Sequence, residues 1–171
     1  MTDVRTVIYA PLSPGELPRF DWARAGNQLD IDDGLESAII ISLFTDRRAA
    51  ADDVIPDGTA NRRGWWADAY AAIDGDQIGS RLWLLFREKD TVEVVVRARE
   101  YVQEALAWLL DDGVASQVIV ETGWVDRVSG ALTATKTQAS APGVLGIGVT
   151  VVRTGHPVSR YRFNAFWEGG Q

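Results

Sequence analysis

The chain changes its hydrophobic period once, and that change limits the possible folds more than any other feature. From Thr91 to Asp112, Val95, Ala98, Val102, Leu106 and Leu109 recur at helical spacing, opposite Glu93, Arg97, Glu100 and Glu104. Asp90 and Glu93 have the spacing of a capping box, and Gly113 follows as a terminator because it tolerates the left-handed backbone that closes a helix. From Gln117 the period is two. Val118, Val120, Thr122 and Trp124 alternate with Gln117, Ile119, Glu121 and Gly123, and Arg127-Val128-Ser129-Gly130 reads as a turn into a strand over Ala131–Thr137. After a flexible stretch from Gln138 to Gly143, Leu145, Ile147, Val149 and Val151 share one face. Tyr161, Phe163, Ala165 and Trp167 share another beyond a turn at Gly155-His156-Pro157. The pattern predicts an α+β fold, with helices packed on one face of a mainly antiparallel C-terminal sheet of about four strands.

Ahead of the long helix the reading is more varied. Residues 1–28 carry Pro11, Pro14 and Pro18 and read as an irregular N-terminal arm, with a short strand at Thr6–Tyr9 and order gained against neighbours. Residues 29–171 read as a single α+β domain, the size at which one core suffices. Asp33 and Glu36 have capping-box spacing ahead of a short helix, Leu35–Phe44. Its apolar residues occupy nearly every side, which predicts a helix buried all round, with a central strand as the competitor. Thr45–Gly79 is a long loop with one helical turn near Trp65–Ala72, and loops of this length usually carry function. The apolar run from Gly79 to Phe86 is too short to decide between helix and strand.

The chain has no cysteine, which removes disulfides, thiolate nucleophiles and thiolate metal sites. It carries 24 acidic against 17 basic residues, net charge -7, which argues against a nucleic-acid partner that needs phosphates neutralised. No run of eighteen apolar residues predicts membrane insertion, so the expectation is a soluble protein made in the cytoplasm. The single histidine, His156, sits in a turn and has no second imidazole for a metal. Asp53-Val54-Ile55-Pro56-Asp57-Gly58 starts like a calcium loop but places Ile55 and Gly64 where oxygen ligands are required. Gly146 and Gly148 fall within a strand, where close backbone approach explains them better than a phosphate loop does. No G-x-S-x-G frame is present. Asp46, Asp52, Asp53, Asp57 and Glu121 supply carboxylates for glycosidase chemistry, yet surface carboxylates are ordinary in so acidic a chain. The reading is therefore not an enzyme, with no catalytic residue, metal or cofactor.

What remains is a concentration of tryptophan and arginine in the long loop. Arg47, Arg48, Arg62, Arg63, Trp65, Trp66 and Asp68 are the candidate partner interface, because indoles and guanidinium groups carry most of the binding energy at many interfaces. Adjacent tryptophans sharpen this: at most one ring of Trp65-Trp66 is expected to enter a core, leaving the other for a partner or the arm.

These residues also lie in a set of motifs. The set comprises Ile41-Ser42-Leu43-Phe44-Thr45-Asp46-Arg47-Arg48-Ala49, Asp52-Asp53, Pro56-Asp57-Gly58, Arg62-Arg63-Gly64-Trp65-Trp66 with Asp68, and Ser80-Arg81-Leu82-Trp83-Leu84-Leu85. It ends with Glu104-Ala105-Leu106-Ala107-Trp108-Leu109 and Asp111-Asp112-Gly113. In order, from about Leu29 to Trp167, the chain resembles the baseplate wedge proteins of Mu-like contractile-tailed phages and prophages, relatives of the lysozyme-like tail wedge proteins of contractile injection systems. The resemblance implies a structural wedge subunit of the virion tail baseplate, assembled in the host cytoplasm and repeated around a sixfold baseplate. It would dock other baseplate wedge proteins and help initiate the tail sheath, with central hub or spike proteins as further partners. No catalytic residue carries over. The chain departs from the wider group's Glu-Pro-Arg motif, in whose place it has Asp111-Asp112-Gly113-Val114, and has Ala67 where glycine is expected. The competing readings are a lysozyme-like cell-wall hydrolase and an adaptor with no place in the virion. An edge near Arg160–Trp167 is a second candidate contact, for a strand from a neighbour.

Overall fold

The computed structural model describes side chains from Gly34 to Ala165, apart from residues 72, 74, 139 and 141–143, and backbone pairing for short strands before Gly34. The chain divides into two compact units, Met1–Ile41 and Ser42–Gln171. In the first, β1 (Asp3–Val4) pairs with β6 (Ile31–Asp32), β2 (Thr6–Tyr9) with β3 (Arg19–Trp22), and β4 (Arg24–Ala25) with β5 (Gln28–Leu29), all antiparallel. The strand expected at Thr6–Tyr9 coincides with β2, and the other five short strands fall where none is expected.

Helix α1 (Leu35–Phe44) settles the choice between helix and strand. It is not buried all round. Leu35, Ile39 and Leu43, at i, i+4 and i+8, are buried together with Ser42, whereas Ile41 and Phe44 are about half exposed. A four-residue spacing selects one stripe of a helix however apolar the remainder is. The Asp33 cap expected for α1 lies outside the described residues.

The undecided run from Gly79 to Phe86 contains a 3-10 helix, Leu82–Leu85, with all four residues buried. Its entry is fixed by Ser80, whose hydroxyl donates to Leu43 O at 2.5 Å and accepts from Leu82 N at 3.3 Å. Backbone bonds Ser80 N to Thr45 O and Arg47 N to Ser80 O, both 2.9 Å, join this segment to the start of the long loop. Gly79, at φ 99, makes that approach possible: a Cβ there would lie 2.4 Å from Thr45 O.

Helix α2 (Val92–Ala105) buries Val94, Val95, Ala98, Tyr101, Val102 and Ala105. The single helix expected to run to Asp112 is interrupted at Leu106, where φ is -105 and ψ 5, and resumes as α3 (Trp108–Asp111) before Gly113 at φ 69. Past the interruption Trp108 Nε1 donates to Ser42 Oγ at 3.1 Å. The cap is also corrected. Thr91, not Asp90, is the N-cap, and the Asp90 carboxylate pairs with Lys136 instead.

The sheet follows the expected topology: four antiparallel strands in the order β10 (Ser159–Phe166), β9 (Ser140–Val152), β7 (Gln117–Asp126), β8 (Leu132–Thr133). Its buried residues include Val120, Thr122, Trp124, Leu145, Ile147, Val149, Val151, Phe163 and Ala165. Thr122 Oγ1 donates to Val95 O at 2.9 Å, tying α2 to that face. Two boundaries differ from expectation. The strand over Ala131–Thr137 shrinks to two residues, and β9 begins at Ser140 in the stretch read as flexible, because Ser140 is buried and bonded to Thr137 and Arg127. Gly146, paired with Gly123, gives close approach, since a Cβ there would meet Leu132 Cδ2 at 2.3 Å. Trp167 lies outside the described residues.

Candidate docking surface

The long loop is closed by its own arginines. Ala49 N donates to Arg62 O at 3.0 Å, and the Arg62 guanidinium returns to Ala50 O and, at 2.9 Å, to Ala51 O. Arg63 pairs with Asp46 at 2.8 Å and lays its guanidinium over the Trp83 ring, 4.4 Å from the centroid. Trp83 is buried, and its indole N–H donates to Arg47 O at 2.9 Å. Thus the two arginine pairs of the loop meet on one tryptophan of the following segment.

Arg81 completes the closure from below. It binds Asp53 at 3.0 Å and Glu104 at 2.9 Å and lies over the Tyr101 ring at 4.7 Å. Burial opposes its charge, but hydrogen bonds to Asp53 and Glu104 outweigh that and raise its pKa above the ordinary guanidinium value. Arg47 reaches Glu104 at 3.8 Å and Gln77 Oε1 at 3.3 Å. Glu104, read from periodicity as part of a wet face, is therefore half-buried and shared between two arginines; Arg97 likewise binds Glu88, with 2.6 and 2.9 Å contacts. A planar fork of donors suits such multiple pairing better than an ammonium would.

Immediately after this clasp the character reverses. Trp65 is 43% exposed, Trp66 75%, Tyr70 81% and Ile73 71%. The rings lie against one another: Trp65 to Trp66 at 5.8 Å between centroids, Trp66 to Tyr70 at 6.3 Å. The 3-10 helix that carries them, Trp66–Tyr70, buries none of its residues. Asp68 holds its far side, accepting from Ile78 N at 3.2 Å. At most one indole of the pair was expected to enter a core, and neither is buried.

Comparison with known proteins fits this loop into a family. A family model for phage protein GP46 matches residues 35–156, which takes in the clasp, the aromatic segment and both long central strands. Baseplate protein gp46 of Escherichia phage Mu is 47% identical over 112 residues, 63% of this chain and 75% of that protein. The chain belongs to this GP46 family of Mu-like phage baseplate proteins. A second member, Mu-like prophage FluMu protein gp46 of Haemophilus influenzae, is 48% identical over 100 residues, 58% of this chain and 65% of that protein. The chain thus covers just under two thirds of this second relative.

Within the GP46 fold, the motifs noted from the sequence converge. Asp46, Arg47 and Arg48, then Asp53, Arg62 and Arg63, Arg81 and Trp83, and Glu104 come from five separate motif segments and form one network. Arg48 is its outermost member, exposed and reaching only Arg63 O at 3.5 Å. Sequence reasoning found the loop arginines but missed Asp53, Arg81, Trp83 and Glu104 as their partners. Their motif positions were a signal, though nothing in one sequence says that positions about fifty residues apart meet.

A cleft of about 530 Å³ borders the clasp, lined by Asp52, Asp53, Arg87, Glu88, Arg97 and Tyr101 among others. Its Asp53 and Glu88 are engaged by Arg81 and Arg97. Asp52, its third lining carboxylate, lies beside them.

Proposed function

We propose that this protein is a structural, non-catalytic subunit of the baseplate wedge of a Mu-like contractile tail, where it docks other wedge proteins and helps to start the tail sheath. The observation that carries the reading is the outward aromatic segment in a member of a baseplate protein family: Trp66 and Tyr70 are large aromatic groups with most of their surface exposed. Exposed apolar patches of this kind mark interaction sites. Arg47, Arg62 and Arg63 act mainly by holding the segment in place, and Arg48, with Trp65 and Trp66, meets the partner. The central hub or spike is a further neighbour, and the free edge of β10 offers donors and acceptors to a strand from an adjoining subunit.

The test is replacement of the gene in a phage by Trp66→Ala. The isolated variant folds as the wild type, by circular dichroism and thermal midpoint, and purified particles lose the protein, by mass spectrometry. Normal particle yield with the variant in place would overturn the docking role. Particles that lack the wild-type protein altogether would remove it from the baseplate and leave the adaptor reading.

A further inference from the structure

The segment after the clasp has the marks of a helix that this chain alone does not complete. Trp65 to Asp74 reads Trp-Trp-Ala-Asp-Ala-Tyr-Ala-Ala-Ile-Asp, with four alanines, the strongest helix former, in ten residues. It lies between Gly64 at φ 107 and Gly75 at φ 80, left-handed positions that punctuate a helix. Yet among its described residues only Trp66–Tyr70 is helical, in the tight 3-10 form; Ala71 leaves at φ -56, ψ 138. Short helices need an apolar face buried to persist, and this one buries nothing. Continued as an α-helix, the segment would place Trp66, Tyr70 and Ile73 at i, i+4 and i+7, within roughly 60° of one another at about 100° per residue. That spacing is how helical peptides anchor in grooves. From Trp65 to Gln77 the acids are Asp68, Asp74 and Asp76, with no lysine or arginine among them.

We infer that Trp65–Asp74 is a recognition helix that finishes folding on its partner. Bound, it forms about three α-helical turns and seats Trp66, Tyr70 and Ile73 in an apolar groove on a different polypeptide. Of the acids, Asp74 borders that face in the helix and meets a lysine or arginine on the groove rim, while Asp68, on the opposite side, keeps its bond from Ile78 N. Among the described residues of this chain, the 530 Å³ cleft beside the clasp is a poor host for such a face, because Asp52, Asp53, Arg87, Glu88 and Arg97 line it. This inference rests on the docking role above and adds the bound form and the host.

Ala72→Pro separates the two. The extended backbone of Ala71 is the conformation a following proline favours, and the thermal midpoint of the isolated full-length variant, expected to match wild type, is the control for folding. A proline inside the bound helix removes a hydrogen bond and clashes with the preceding turn, and incorporation into purified particles falls about 100-fold. Trp66→Ala, Tyr70→Ala and Ile73→Ala each lower incorporation by about tenfold or more. Loss with Trp66→Ala but normal incorporation with Ala72→Pro would overturn the helix and leave the docking role intact; normal incorporation with both would remove both. Hydrogen exchange on wild type stands apart from any folding defect of a variant. Amides 70–73 exchange rapidly in the free chain and are protected in particles, and equal exchange in the two would overturn the inference. Concentration-dependent self-association in sedimentation, abolished by Trp66→Ala, would overturn it in favour of a second copy as host.

Discussion

One glycine separates Arg62-Arg63 from Trp65-Trp66, and on either side of it residue character and location are the reverse of the usual pairing. The guanidinium groups of Arg62 and Arg63 turn back onto the chain, to backbone carbonyls, to Asp46 and to the Trp83 face, while the neighbouring indoles turn out to solvent. Even at the surface, charged groups hold fixed positions when acceptors of matched geometry meet them. Indoles remain outside when the local backbone has nothing to pack them on. The clasp is thus a finished structure and the aromatic segment an unfinished one. Their adjacency suggests that the first exists to present the second.

The sharpest way to break this comparison is at its hinge. Gly79→Ala forces a Cβ to within 2.4 Å of Thr45 O on a backbone at φ 99, so the bridge between Thr45 and Ser80 must open. We expect a loss of about 3 kcal/mol or more in unfolding free energy, read from denaturant midpoints. Arg81→Ala comes next. It leaves Asp53 and Glu104 without their shared arginine and uncovers the Tyr101 ring, at a cost of about 2 kcal/mol, the lower end for such pairs because the site is only partly buried. If Arg81→Ala matches wild-type stability, the clasp is ornamental and the contrast between the two regions fails.

How far the sequence foretold this contrast varies by region. The helix through Val95, Ala98 and Val102 and the strands through Val120 and Ile147 were legible, because each has one buried face and a strict period writes that face into the chain. The interruption at Leu106 was not, since the apolar spacing continues unbroken across it. Nor was the 3-10 form of Leu82–Leu85, where full burial erases any period. The loop residues were legible as a set but not in orientation: arginine and tryptophan together suggest an interface, and only the long-range partners Asp53, Trp83 and Glu104 decide which type faces inward.

Trp66→Ala tests the other side of the comparison. With 75% of its surface exposed and its ring against Trp65 and Tyr70, its removal should change stability by less than about 0.5 kcal/mol while particle assembly suffers. A destabilisation as large as that of Arg81→Ala would show that the aromatic segment is part of the clasp after all.

The smallest effect concerns pH and distinguishes the regions by charge. Asp57, in the clasp loop, accepts from the Thr59 hydroxyl at 2.7 Å and the Thr59 amide at 3.0 Å, and these bonds, helped by the Arg63 and Arg87 charges and weakly opposed by burial, hold its carboxyl below the ordinary value. A depressed folded pKa means that the stabilisation is present above the unfolded value, about 3.9, and is lost as pH falls through the lower folded one. In an NMR titration Asp57 should therefore titrate below ordinary aspartates, and the Thr59 amide signal should move with it. Asp57→Asn should remove that step at Thr59. The amides of Trp66 to Tyr70 should be indifferent to Asp57 in both proteins, because a segment that buries nothing has no means of sensing a loop carboxylate. A shared titration step would tie the two regions together electrostatically and undo the separation drawn between them.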